Sequence, residues 1–274
     1  MPRANRYLLP GSTCHLTHRC HDRAFLLRFA RDRDAYRRVL YETKPRHGLY
    51  VLAYCITHNH VHLLTRIQSE VSLCTWMQRA EGQWAQQYNR RKQRTGAFWE
   101  GRYHCTLIGD PLHTQRCMTY IELNMVRAGV VAHPVEWRWC SYQEWLGQRQ
   151  RYRLLDLEPA LEHLGSPDLA AFRQHYEQRV QERIGRDAMA REPWWTESVA
   201  VGDETFVRQV ELAVRWRQGF DRYAVSSDTN CLREEPPEPA RLGPWTSTPV
   251  VDVRGGSCRP LPSLRARRGD KTSP

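Results

Sequence analysis

Two apolar runs set only three residues apart constrain this chain more than any other feature: LYVLAYCI (49–56) and HVHLLTRI (60–67), broken by Thr57-His58-Asn59. Both carry the β-branched and aromatic residues of strands, and the break between them is polar. STCHLTHRCH (12–21) reads as a strand of mixed polarity, and FWEGRYHCTLI (98–108) as another, with Gly101 at a bulge. Helical patterns fill the intervals. Asp32 is placed to cap a helix to about Pro45 that turns Tyr36, Val39 and Leu40 inward, and His47-Gly48 ends it. Leu73, Trp76, Ala80 and Trp84 recur at helical spacing, which predicts a second helix from about Val71 to Arg94, closed by Gly96. Asp110-Pro111 starts a third, with Asp at the N-cap and Pro at the first helical position; it is expected to run to about Ala128, with Gly129 at C′. The order β-α-β-β-α-β-α packs most economically as a sheet covered by helices. This is an α+β fold whose first six elements form a ferredoxin-like core.

Past Ser141 the character changes. Pro167 opens a helix with Leu169, Phe172, Tyr176 and Val180 on one face, closed by Gly185. Asp203 opens another, with Phe206, Val210 and Ala213 inward, closed by Gly219. From 224 onward, 8 of the 16 Pro fall in 51 residues and periodicity fades. The expected organisation is a core domain over 1–148, a helical annex over 149–223 and a mostly disordered tail over 224–274.

Charge is unevenly spread. Residues 1–150 hold 22 Lys+Arg against 11 Asp+Glu, whereas residues 151–274 hold 19 of each. The whole net charge of +11 therefore sits in the first part, with 10 of the 12 His. Nearly all the cations are Arg, whose planar fork grips phosphate bidentately and stacks on bases. A basic, Arg-rich and aromatic-rich half points to a nucleic-acid partner. No apolar run approaches the ~20 residues of a membrane span, and MPRANRYLLPGS lacks the apolar stretch of a secretion signal. The nine Cys are scattered, odd in number and without CxxC, which reads as reduced thiols. The expectation is a cytoplasmic protein, nucleoid-associated when DNA-bound, with no membrane partner.

Two motifs carry chemistry. His60 and His62 stand two apart on a strand, so they share a face while Val61 and Leu63 point to the core. Two imidazoles so placed form half of a divalent-metal site, and His58 is a possible third ligand. Taken alone, H-x-H is equally a hydrogen-bonded histidine pair. In TYIELNMVRAG (119–129), Tyr120 and Asn124 lie one helical turn apart, off the apolar stripe of Met118, Ile121 and Met125. Taken alone, that is a surface or helix-to-sheet contact. Together they are more specific. A phenol can attack a phosphodiester covalently if a cation neutralises the phosphoryl oxygens, and two His plus an amide carbonyl could hold that cation.

Four segments in order resemble the REP-associated tyrosine transposases, single-tyrosine HUH nucleases related to small single-strand insertion-sequence transposases: AYCITHNHVHLL (53–64), GAFWEGRYHCTLI (96–108), YIELNMVRAGVV (120–131) and WRWCSYQEW (137–145). The resemblance covers roughly residues 10–145. It implies an antiparallel sheet flanked by helices and metal-dependent nicking of single-stranded DNA, leaving a 5′-phosphotyrosine and a free 3′-OH. It assigns the HUH histidines to His60 and His62, the nucleophile to Tyr120 and the completing amide to Asn124, with Mg²⁺ or Mn²⁺ as cofactor. The implied partner is single-stranded or hairpin DNA of the REP type, and monomer and homodimer both remain open. Thr57-His58 stand where the family has Met-Pro, and Met125 where it has Pro.

The expected DNA surface comprises Arg90, Arg91, Lys92 and Arg94 at the end of the second helix, then Trp99 and Arg102, with Arg127 near the cleaved phosphate. Trp99 is as readily a buried residue, and Trp137, Trp139 and Trp145 read as core. Two other functions compete with a strand-transferase: a domesticated hairpin-binding protein, and a Zn²⁺ hydrolase using His58, His60 and His62. The second leaves Tyr120, Asn124 and the Arg excess unexplained.

Overall fold

The computed structural model describes residues 7–149, 151–166, 168–187, 190–214 and 219–234, all within one unit spanning Met1–Glu235. In chain order the elements are β1 (Thr13–Arg19), α1 (Ala30–Thr43), β2 (Leu49–Ile56), β3 (His60–Ile67), α2 (Glu70–Lys92), β4 (His104–Ile108), α3 (Pro111–Glu122), α4 (Asn124–Arg127), α5 (Tyr142–Trp145), α6 (Leu157–His163), α7 (Leu169–Asp187), α8 (Trp194–Glu197), β5 (Ala200–Gly202), α9 (Glu204–Val214), β6 (Phe220–Ser226) and β7 (Thr229–Glu234). Short 3₁₀ turns occur at His21–Arg23 and Pro134–Glu136.

The strands form one seven-stranded sheet in the order β2-β3-β1-β4-β5-β7-β6. The first four pair antiparallel, and β1 lies between β3 and β4. Register sets Thr17 opposite both His62 and His104, and His15 opposite both Leu64 and Thr106. Side chains alternate along a strand, so His15, Thr17, His60, His62, His104 and Thr106 share one face. That face meets α3, α4 and α8. The other face carries Cys14, Leu16, Val61 and Leu63, all buried, and meets α2, on which α1 packs. His18 on that side stacks on Trp99 with ring centroids 4.2 Å apart, and its Nδ1 lies 2.8 Å from the Glu81 carboxylate of α2.

Several expectations hold. Asp110 caps α3 by accepting from His113 N at 2.9 Å, with Pro111 in the first turn. Gly129 takes φ +65° past α4 and its N–H reaches Val126 O, the expected left-handed termination. Trp137, Trp139 and Trp145 are buried; Trp137 and Trp145 donate to the carbonyls of Ile56 and Leu52 at 3.1 Å each.

Other expectations need correction. Asp32 does not cap α1, which starts at Ala30; the carboxylate lies buried in the first turn and accepts from Arg91 at the end of α2. The strand expected over 98–108 is regular only from His104, because Gly101 at φ +125° turns the chain so that Trp99 can pack on His18. The helix expected over 111–128 is broken at Leu123. Arg127 Nη2 donates to Tyr120 O at 2.6 Å, taking the carbonyl that a continuous helix directs at residue 124.

The annex is not all-helical. β5 pairs parallel to β4, and the β6–β7 hairpin, which runs past residue 224, completes the sheet. Three residues give β5 too little sequence to register a period. Residues 235–274, the rest of the expected tail, lie outside the described residues. No helix of the described residues is long and apolar enough to cross a membrane.

A polar network runs through the core beneath the site. Glu122, at the end of α3, accepts from Ser141 and from Tyr176 Oη of α7 at 2.6 Å. Ser141 Oγ accepts from Tyr54 N at 2.9 Å, and Tyr54 Oη donates to Glu144 at 2.6 Å. Glu144 accepts in turn from the amides of Leu154 and Leu155. Burial pushes the Glu122 carboxyl up to about 8.

Candidate active site

β3 carries His60 at its first position and His62 two residues on, both on the α3/α4 face. The rings stand edge to face with centroids 4.8 Å apart. Thr57, in the turn before β3, donates its hydroxyl proton to His60 O at 2.8 Å. Its oxygen therefore accepts from His60 Nδ1 at 3.0 Å, and Asn59 Oδ1 is a second acceptor at 2.8 Å. His62 is buried, with Nδ1 2.9 Å from His15 Nε2 and Nε2 3.0 Å from Asn124 Nδ2. Asn124 also acts on His60, where it opposes the downward shift of that imidazole.

Both rings are held neutral. Burial is the main cause in each case, and for His60 the Arg19 and Arg127 guanidinium groups add to it, pushing that imidazole down to about 4. For His62 burial comes first, then His60, His15 and Arg127. Neutral imidazole is the metal-ligating form. The donor set is two imidazole nitrogens and, with the amide turned, one carbonyl oxygen. Among the described residues no cluster of three or more His, Cys, Asp or Glu could hold a metal.

Tyr120 comes from the last turn of α3. Its ring centroid lies 6.1 Å from those of His62 and His15, edge to face with each. Arg127 stacks its guanidinium 4.0 Å over the phenol ring. Its ring also lies 6.2 Å from that of Trp195 in α8. Burial raises the Tyr120 phenol above its ordinary value, while the Arg127 charge acts in the opposite direction. The side chain is only 8% exposed, but it lines a groove of about 740 Å³ with Thr119, Arg116, Arg191, Trp194 and Trp195.

His60, His62, Tyr120, Asn124 and Arg127 therefore converge. His58 does not join them. It sits in the turn with its ring against Trp137 at 5.2 Å and Phe25 at 6.1 Å, and Leu27 N bonds its carbonyl. A three-histidine zinc site loses a ligand by this placement. Trp99 is wedged between His18, Tyr36 and Phe98, with Nε1 donating to Glu81 O, and is not a free stacking platform. Arg91 pairs with Asp32, and Arg94 is tied to Asn89 Oδ1 and Ala97 O. Lys92 lies 5.2 Å over the Phe29 ring, while Arg90 and Arg102 are exposed.

Sequence reasoning missed His15, Arg19 and Trp195. The alternation of STCHLTHRCH does set His15 and Arg19 on one face, but only strand register brings that face beside His60 and His62. Nothing local marks Trp195.

Residues 10–124 match the family model described as IS200-like transposase. The matched segment contains β1 to β4, both candidate histidines, Tyr120 and Asn124. Among solved structures, one similar to the chain is that of a REP-associated tyrosine transposase bound to a REP hairpin. It has 17% identity and a TM-score of 0.46, and covers 54% of this chain and 87% of that one. No curated protein matches the chain.

Proposed function

We propose that the protein is a divalent-metal-dependent endonuclease and strand-transferase for single-stranded DNA, acting on REP-type hairpins through a 5′-phosphotyrosine. The observation that carries this reading is the Asn124 amide, 3.0 Å from His62 Nε2, with the His60 ring against that of His62 and Tyr120 beside them on the preceding helix. A DNA substrate follows from the transposase family and the Arg excess of the first half. The REP-type hairpin follows from the four ordered motifs, 53–64, 96–108, 120–131 and 137–145.

His60, His62 and Asn124 fit Mg²⁺ or Mn²⁺, with the imidazoles favouring Mn²⁺ more than an all-oxygen site would. When bound, such an ion supplies Lewis-acid polarisation of the scissile phosphate. The rest is work for the chain. The HUH imidazoles, neutral and fixed, offer nitrogen donors without losing a proton. Arg127 lies over the phenol ring, where its charge favours the phenolate as the proton leaves. Tyr120 Oη then bonds to phosphorus, the P–O bond to the 3′ oxygen breaks and a 3′-OH departs. The phosphodiester energy is kept in the phosphotyrosine, so a 3′-OH can reverse the step and rejoin strands.

The test is cleavage of labelled hairpin DNA with a single-stranded extension in Mn²⁺ or Mg²⁺. His60→Ala and His62→Ala are each expected to abolish cutting while hairpin binding largely survives, since phosphate contacts supply most of the affinity. Wild-type cutting by either variant would overturn the site. Intact binding with no cutting by the wild-type protein in either metal would favour the hairpin-binding alternative.

A further inference from the structure

His62 is joined to the C-terminal extension by a chain of hydrogen bonds with a single polarity. The carbonyl of Trp195, in α8, can only accept. His15 Nδ1 lies 2.7 Å from it, so that nitrogen carries the proton. His15 is fully buried between the sheet and α8 and has no carboxylate partner among the described residues, so its ring is neutral and its Nε2 holds a bare lone pair. Nε2 is 2.9 Å from His62 Nδ1, which must therefore be the donor. The His62 tautomer follows: proton on Nδ1, lone pair on Nε2. The Asn124 amide lies 3.0 Å from that lone pair. The two rings are nearly parallel, at 23°, which suits an in-line N–H···N bond. Thr17 Oγ1, at 3.5 Å from His62 Nδ1, is too distant to replace His15 as the principal acceptor.

We propose that His15 is a positioning residue, which fixes His62 in the tautomer that presents Nε2 to the cation, with the Trp195 carbonyl setting the direction of the chain. The proposal rests on the metal-site reading above. A ligating histidine whose other nitrogen is held by an acceptor keeps its ring orientation and tautomer without further cost, and losing such a partner typically reduces metal affinity by about 10- to 100-fold. The arrangement also gives the extension a role. Trp195 lies outside residues 10–124, so part of what organises the transposase site comes from beyond the family segment. α8 touches that site twice, through Trp195 O on His15 and through the Trp195 ring, 6.2 Å from that of Tyr120.

The experiment has two readouts. Long-range ¹H–¹⁵N correlation spectra of ¹⁵N-histidine-labelled, metal-free protein report which ring nitrogen of His62 is protonated. Titration with Mn²⁺ alone, followed by electron paramagnetic resonance, gives the affinity. Wild-type His62 is expected as the Nδ1–H tautomer. His15→Phe removes the acceptor and should let the Nε2–H form appear, with Mn²⁺ affinity down about 10-fold or more. His15→Gln keeps an acceptor oxygen near the old Nε2 position and should restore most of both signals. Wild-type His62 in the Nε2–H form would overturn the inference, as would a folded His15→Phe protein with unchanged tautomer and Mn²⁺ affinity. Wild-type protein that shows the Nδ1–H form but binds no Mn²⁺ would instead overturn the metal-site reading, and the positioning role with it.

Discussion

Glu122→Gln tests how the core beneath the site is built. Glu122 is fully buried among Ser141, Tyr176 and the end of α3, and its carboxyl is pushed up to about 8. In the unfolded chain a glutamate titrates near ~4.3. Between these values the folded state holds a proton that the unfolded state has released. Stability then falls as pH rises, by at most ~1.4 kcal/mol per pH unit, because the unfolded state binds fewer protons. From pH ~5 to ~7 the loss reaches up to ~2.7 kcal/mol, and it stops growing once pH passes the folded value. Glutamine keeps the shape and an acceptor but cannot ionise. Urea unfolding of both proteins across pH ~5–9 gives the difference curve, in which the other titrating groups cancel. The variant should gain on the wild type steadily up to about pH 8 and run parallel above it. Parallel curves over the whole range, or a gain on acidification, would refute the assignment of a neutral buried carboxyl.

Ending the chain at Ala224 should be destabilising, because it cuts β6 and removes β7, whose Cys231 and Leu232 are fully buried; loss of the leucine alone is worth roughly 1.5–3 kcal/mol. A shift of the urea midpoint checks it, and an unchanged midpoint would mean that the hairpin is dispensable. Arg127→Ala should slow cutting up to ~30-fold, the rate equivalent of a ~2 kcal/mol cation–π interaction, with a smaller effect on hairpin affinity. Equal losses in both would assign Arg127 to binding instead. Neutralising Arg90, Arg91 and Arg94 should flatten the salt dependence of DNA binding by ~0.9 in logarithmic slope for each duplex phosphate left without its cation, read from affinities at several salt concentrations. Arg91 is already paired with Asp32 and should matter least of the three.

The strands and helices of the first 130 residues were legible because their signals are local. The apolar runs at 49–56 and 60–67, the Asp110-Pro111 start and the Gly129 stop each depend on neighbours a few residues away. Asp32 looked like a cap for the same local reason; the Arg91 that draws it inward is 59 residues distant. The break at Leu123 was hidden because Arg127 competes for a backbone carbonyl, which no propensity encodes. Of the site, His60, His62, Tyr120 and Asn124 were readable from motif and resemblance. His15 and Trp195 were not, since one depends on strand register and the other on a four-residue helix reached after ~70 residues of intervening chain.

The central claim is that Tyr120 is the nucleophile. Protein incubated with Mn²⁺ and hairpin DNA labelled 3′ of the cut should yield a covalent adduct on denaturing gels, and peptide mapping should find the 5′ phosphate on Tyr120. Tyr120→Phe, which removes only the hydroxyl, should bind the hairpin and form no adduct. An adduct on Tyr103 or Tyr142, both more deeply buried, or undiminished cutting by Tyr120→Phe would contradict the account.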